Sequence, residues 1–178
     1  VRETFAEVFE TPYEKLGLRQ VYDVAHNIAK IETHSVEGKK ERLCVHRKGA
    51  TRAFAPGHAD VPVVYRDIGQ PVLVPGDMGR YSYVAVGTQR AMDESFGSTC
   101  HGAGRVLSRS AAQKAVRGSD VAESLRKRSI LVRTGHIRGL AEEASIAYKD
   151  VAEVMDVVDG AGICRKVARA EPLGVIKG

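Results

Sequence analysis

Between Ser98 and Ala112 the sequence reads STCHGAGRVLSRSAA, and His101 stands between a hydroxyl- and thiol-bearing run and the residues Gly102, Ala103 and Gly104. Glycines ahead of a helix let backbone N–H groups approach an anion closely, and the helix N-terminus adds partial positive charge. Arg105 and Arg109 follow at helical i, i+4 spacing, where two guanidiniums could clamp phosphate oxygens. This pattern places a phosphate beside an imidazole. The same residues also suit a turn histidine that caps or hydrogen-bonds.

Other stretches carry weaker signals of the same kind. In DVAHNIAK, His26 and Asn27 are neighbours on an expected helix. An imidazole is a common ligand of divalent ions, and an amide beside it could touch the ion's anionic partner. HRKGATRA sets three cations, Arg47, Lys48 and Arg52, around Gly49. PGDMGRYS, with Pro75, Gly76, Asp77, Met78 and Ser82, reads as a tight loop between strands, and Lys177 stands one residue from the end. Taken singly, each fits a surface or turn feature as well as a site.

The elements that must position these residues follow from periodicity. Phe5, Val8 and Phe9 predict an amphipathic helix at the start, and Val21, Val24, Ala25 and Ile28 predict a second. From Leu43 to Gly87 the runs VPVVYR, QPVLVPG and YSYVAVG read as strands joined by Pro–Gly turns. A helical half follows: one helix ending at Gly118, one capped by Asp120 with Glu123 three residues on, and one with Val151, Val154, Met155 and Val158 on a face. ICRKVAR is a last strand before PLGVIKG. Strands grouped first and helices later predict an α+β fold, a mixed or antiparallel sheet core with helices packed on it, as one unit over residues 1–178.

Composition bounds the function classes. With 178 residues, 43% hydrophobic and 28% charged, the chain is neither disordered nor too short for a core. No apolar run approaches the roughly 20 residues a membrane helix needs, and the expectation is a soluble, cytoplasmic protein without a membrane partner. Cys44, Cys100 and Cys164 are odd in number and lack a CxxC pair, so reduced, buried thiols are expected rather than disulfides or a zinc site. The net charge of +5 is mild for a nucleic-acid binder. Aromatics are only 6% and Trp is absent, so backbone contacts would outweigh base stacking.

In combination and in this order, HNIAK, HRKGATRA, DIGQPVLVPGDMG, STCHGAGRVLSRSAA, AEEA-x-x-AYKD and PLGVIKG resemble the RtcB family of RNA-splicing ligases, from about Tyr22 to Gly178. The resemblance implies the C-terminal part of a GTP- and manganese-dependent ligase. Such an enzyme joins an RNA 3′-phosphate or 2′,3′-cyclic phosphate to a 5′-hydroxyl, with tRNA halves as substrates and archease as a possible activating partner. It further implies that His101 carries GMP, that His26 is a manganese ligand, and that Asn27 lies at the nucleotide. Pro75, Gly76, Asp77, Met78 and Ser82 would line the guanylate pocket with Gly102, Ala103 and Gly104, and Lys177 would contact guanine. Lys48, Arg52, Arg105 and Arg109 would hold RNA phosphates.

Two positions depart from the family pattern: Asp77 where a small hydroxyl residue is common, and Ser145 where proline is expected. A carboxylate at position 77 would repel phosphate unless a metal, Arg80 or a loop amide compensates. The family's other metal ligands precede HNIAK, and no residue from Val1 to Tyr22 matches them. A non-catalytic RNA-binding fragment, or a paralogue that caps DNA or RNA 3′-phosphate ends with GMP, remains an alternative reading.

Overall fold

Strand β4 (Pro71–Pro75) turns Val72 and Val74 to one side, where both are fully buried, and leaves Leu73 exposed on the other. Its antiparallel partner β5 (Ser82–Gly87) directs Tyr83 and Ala85 to the same side. This period-2 alternation marks a sheet with one covered face. Full burial of each valine contributes about 1.5–3 kcal/mol. The structure, a computed structural model, describes residues 1–177. Gly178, the last residue of PLGVIKG, lies outside them.

The covering layer is α6 (Val151–Gly160), whose Val151 and Met155, four residues apart, are both fully buried against the sheet. Asp150 caps it by accepting from Ala152 N–H at 2.8 Å. The chain then returns as β8 (Cys164–Ala170), antiparallel to β5. Val84 opposes Ala168 while Ala85 opposes Lys166, so Val167 is the extra residue of a bulge.

A second apolar cluster lies in the helical half. There α4 (Gly118–Lys127) supplies Ala122 and Leu125, α5 (Ile137–Glu142) supplies Leu140, and Met78 enters from the loop after β4. Gly118 is the first residue of α4, not the stop of the preceding helix α3 (Arg109–Ala115). A Cβ on Gly118 would lie 1.8 Å from the Ile137 carbonyl, so the close crossing of α4 and α5 requires glycine. Asp120 falls in the first turn of α4, after an N-cap at Arg117. There it complements the helix dipole rather than capping the helix. Beside this cluster β7 (Leu131–Thr134) pairs in parallel with β9 (Gly174–Lys177), and the other sheets are antiparallel. The fold is α+β, as its element grouping predicts.

Two expected elements differ. Residues 21–26 are not helical, and Asn27 opens a strand, β1 (Asn27–Val36), that pairs with β2 (Lys39–Lys48) over ten residues on each side. Buried Glu32 and His34 alternate with exposed neighbours there, and cross-strand pairing draws Ile28 out of the expected helical stripe. VPVVYR forms a single 3-10 turn at Val63–Tyr65, with Val63 and Val64 each 77% exposed and no partner strand. The N-terminal helix α1 (Arg2–Val8) forms as expected but buries none of its residues. Helix α2 (Gln89–Ser95) is capped by Thr88. Among the described residues no helix is long and apolar enough to cross a membrane.

The inner face of the β1–β2 ribbon holds a buried ionic cluster that composition did not reveal. Arg47, 2% exposed, donates to both carboxylate oxygens of Glu32 at 2.8 Å each, and also to Ser98 Oγ and the Phe96 carbonyl at 2.8 Å. His34 Nε2 lies 3.0 Å from Glu32 Oε2. Burial alone would push the Glu32 carboxyl up, but the bonds from Arg47 and His34 outweigh it and hold the group below its ordinary 4.5. Glu32→Gln should therefore destabilise the chain by about 3–5 kcal/mol, because Arg47 stays buried without its countercharge. Because folding lowers the Glu32 pKa, its contribution is complete above pH 4.5 and disappears as pH falls through the lowered value. Denaturant unfolding from pH 7 to pH 3 checks this: the variant's loss should be largest at pH 7 and shrink in acid.

Candidate active site around His101

Strand β6 (Ser98–Cys100) pairs with β3 (Ala50–Arg52), Cys100 opposite Ala50, and releases the chain into the turn that carries His101. The turn is pinned from two sides: Ala103 N–H donates to the Pro75 carbonyl at 3.1 Å, and Lys149 N–H donates to the Gly104 carbonyl at 3.0 Å. Ala103 is buried in the sheet cluster, while Gly104 holds φ +77, a conformation that favours glycine. The imidazole is thereby left half-exposed on a fixed backbone. His26, in the segment before β1, stacks on it with ring centroids 4.3 Å apart and 14° between planes. Burial, and then the neighbouring His26, hold the His101 pKa below its ordinary 6.5. The ring is neutral at physiological pH, with a lone pair available for nucleophilic attack.

His101 opens onto a cavity of about 870 Å³. Pro75, Gly76, Asp77, Met78, Ser82, Gly102, Ala103, Gly104, Arg105, Arg109 and Lys177 all border it, so the structure gathers most of the residues singled out in the sequence. The loop from Pro75 to Ser82 lies between the two apolar clusters, with Val74 in one and Met78, 6% exposed, in the other. A Cβ at Gly76 would lie 2.3 Å from the Tyr81 carbonyl, which fixes glycine at the tightest point of this loop. The Asp77 side chain is fully shielded from solvent.

Arg105 and Arg109 do not share a helix. Arg105 bridges to Tyr148, Val106 N–H bonds to the Ala147 carbonyl, and α3 starts only at Arg109 after its Ser108 cap. The pairing of 105–106 with 147–148 keeps the chain extended where an i, i+4 stripe was expected. Arg105 donates to the Leu107 and Glu142 carbonyls, to Tyr148 Oη at 2.9 Å and to Glu143 Oε1 at 3.1 Å. Arg109 keeps a side chain 73% exposed at the cavity, with Glu142 at 3.7 Å.

Two residues with no role assigned from the sequence, Glu143 and Tyr148, also border the cavity beside Arg105. Tyr148 Oη donates to Glu143 Oε2 at 2.5 Å, and Lys177 Nζ lies 3.5 Å from the same oxygen. Burial would raise the Glu143 carboxyl, but Tyr148, Lys177 and Arg105 together hold it below its ordinary value. Their only sequence signal was membership of AEEASIAYKD. Parallel pairing of β9 with β7 sets Lys177 opposite Thr134 and at the edge of the cavity.

Other residues fall outside the cavity. Asn27 and Lys48 oppose each other at the end of the β1–β2 ribbon, both exposed. Arg52 donates to Gln70 at 3.2 Å and lies over the Phe54 ring. Cys164 is buried and its thiol is pushed up to about 11, Cys100 is partly buried with its thiol also raised by burial, and Cys44 is exposed, against the expectation of three buried thiols. Among the described residues no three His, Cys, Asp or Glu side chains converge as metal ligands. His26 and His101 therefore do not make a manganese site by themselves.

The family model described as tRNA-splicing ligase RtcB matches residues 1–178. Proteins named tRNA-splicing ligase RtcB are similar throughout: 60% identical in Archaeoglobus fulgidus, where the match spans 37% of that protein, and 59% in Pyrococcus furiosus, where it spans 18%. The relative in Methanocaldococcus jannaschii is 53% identical over 178 residues. The chain thus spans well under half the length of the curated relatives it matches. With half-exposed His101, the glycine turn from Gly102 to Gly104, the loop residues from Pro75 to Met78 and Lys177 at one cavity, and a family match from end to end, the chain belongs to the tRNA-splicing ligase RtcB family.

Proposed function

We propose that this chain carries the nucleotide-transfer centre of a GTP- and manganese-dependent RNA ligase, with His101 as the nucleophile. The observation that supports this reading is the His101 imidazole, held neutral on a turn pinned by Pro75 and Lys149, at the edge of a cavity that Lys177 also borders. A ring nitrogen attacks the α-phosphorus of GTP, a P–N bond forms, and pyrophosphate leaves with the bonding pair. An oxygen of the RNA 3′-phosphate then attacks the phosphorus of the bound GMP, the P–N bond breaks with its pair returning to His101, and an anhydride joins the RNA 3′-phosphate to GMP. A 5′-hydroxyl attacks the RNA 3′-phosphorus and gives up its proton, and GMP leaves with the pair of the broken anhydride bond. The relatives' name favours tRNA halves as the joined ends. Arg109, exposed beside the cavity, suits a contact to an incoming phosphate, whereas Arg105 is engaged by Glu143 and Tyr148 and acts on that wall's geometry.

His101→Ala in the full-length protein should abolish covalent labelling by α-radiolabelled GTP and shift stability by no more than about 0.5 kcal/mol, since a half-exposed turn side chain carries little packing. Denaturing gel autoradiography beside a thermal melt checks both parts. Retained label would place the nucleophile elsewhere.

For the metal, His26 is one donor, and the remaining donors come from outside the described residues. One imidazole with water does not offset dehydration of a divalent ion as a multidentate site does. The 178-residue chain alone should therefore hold manganese weakly, and His26→Ala should lower the affinity of the full-length protein by about 10–100-fold. Paramagnetic resonance of free manganese reads both without any catalysis. Tight stoichiometric binding by the 178 residues alone would refute the single-donor reading.

A further inference from the structure

Asp77 and Ser145 lie 68 positions apart and are bonded to each other: Ser145 Oγ donates to Asp77 Oδ1. Three more donors converge on the same carboxylate. Gly79 N–H reaches Oδ1 at 2.9 Å, Arg80 N–H reaches it at 3.1 Å, and Arg80 Nε reaches Oδ2 at 2.5 Å. Oδ1 thus takes three donors and Oδ2 the charged one, so both oxygens of Asp77 are engaged from within the protein. Its side chain is fully shielded from solvent. The charge that would have repelled a phosphate is neutralised by Arg80 and by loop amides.

Arg80 extends the connection. Its Nη2 donates to the carbonyls of Ser145 at 2.6 Å and Tyr148 at 3.0 Å, and its Nη1 lies 3.3 Å from Asp150 Oδ2. The Pro75–Ser82 loop is therefore tied to the segment 145–150 by one carboxylate and one guanidinium. That segment also holds the His101 turn, through the Lys149 N–H bond to Gly104 and the bridge from Tyr148 to Arg105. The other support of the turn is the Pro75 carbonyl, at the start of the loop itself. A side chain with both oxygens engaged and no surface open to solvent is placed to decide where the loop sits.

We propose that Asp77 is a positioning residue: with Arg80 and Ser145 it forms a latch that fixes the Pro75–Ser82 loop against residues 145–150 and so holds the two backbone supports of the His101 turn in register. Asp77 and Ser145 are one coupled unit, and residue 77 makes no side-chain contact with the nucleotide. The kinetic consequence rests on the nucleotide-transfer reading above, while the structural coupling does not.

The test uses the full-length protein as parent, Asp77→Ser, Ser145→Pro and the double variant. Asp77→Asn is the milder control, since it keeps an acceptor for the loop amides and removes the charge facing Arg80. Hydrogen exchange is followed for residues 101–104 without nucleotide, and the KM for GTP and kcat of guanylylation are measured in parallel. Asp77→Ser should speed exchange of Ala103 about tenfold and raise KM by a similar factor, with kcat changed less than about threefold. Asp77→Asn should fall between it and the parent. Ser145→Pro should add nothing further once Asp77 is gone. Faster KM-limited failure with unchanged exchange at 101–104 would mean that Asp77 touches the nucleotide directly, and additive effects of the two substitutions would break the coupling. A parent protein that takes no label from GTP would sink the ligase reading, and the exchange cycle would still decide the latch.

Discussion

The hydrogen bond from Ala103 N–H to the Pro75 carbonyl joins the two sequence stretches on which the site is built. Pro75 ends a strand whose Val72 and Val74 are packed under α6, and Ala103 is buried in the same apolar cluster. The candidate nucleophile sits two residues from a core position and inherits its rigidity. A side chain that acts as a nucleophile needs such placement, because small misplacements of reacting atoms cost large factors in rate. The apolar packing of α6 on β4 and β5 is thus the constraint from which the geometry of His101 follows.

Much of this arrangement was legible before any coordinates. The stripe of Val151, Val154, Met155 and Val158 predicted α6, and the alternation in QPVLVPG and YSYVAVG predicted the hairpin whose turn borders the cavity. Local patterns sufficed there because burial on one face was their cause. The segment around Val21 to Ile28 misled because the ten-residue pairing with β2 takes the chain from Asn27 onward into a strand, and the preceding residues 21–26 form no helix on their own. VPVVYR misled for the opposite reason: its residues favour a strand, but no partner strand lies beside it.

Charges were harder to read than apolar residues. Arg47 belongs to a run of cations that looks like a solvated surface, yet it is buried and satisfied by Glu32, Ser98 and Phe96. Its partner Glu32 is 15 residues away on the neighbouring strand, a separation that composition and spacing cannot connect. Arg105 repeats the lesson at the site. Its spacing from Arg109 suggested a paired phosphate clamp, but its donors are taken by Glu143, Tyr148 and two carbonyls.

This internal pairing bears on what the cavity can accept. Two acidic residues border it, Asp77, whose side chain is shielded from solvent, and Glu143, and a carboxylate left unpaired at either would oppose an anionic ligand. Asp77 is engaged by Arg80, two amides and Ser145, and Glu143 is held by Tyr148, Arg105 and Lys177. Each acid is matched within a hydrogen-bonded group, where a lower effective dielectric strengthens the match. The exposed guanidinium of Arg109 stays outside both groups, at the edge of the cavity. A cavity with two acids can favour an anion because both acids are spent on holding its walls.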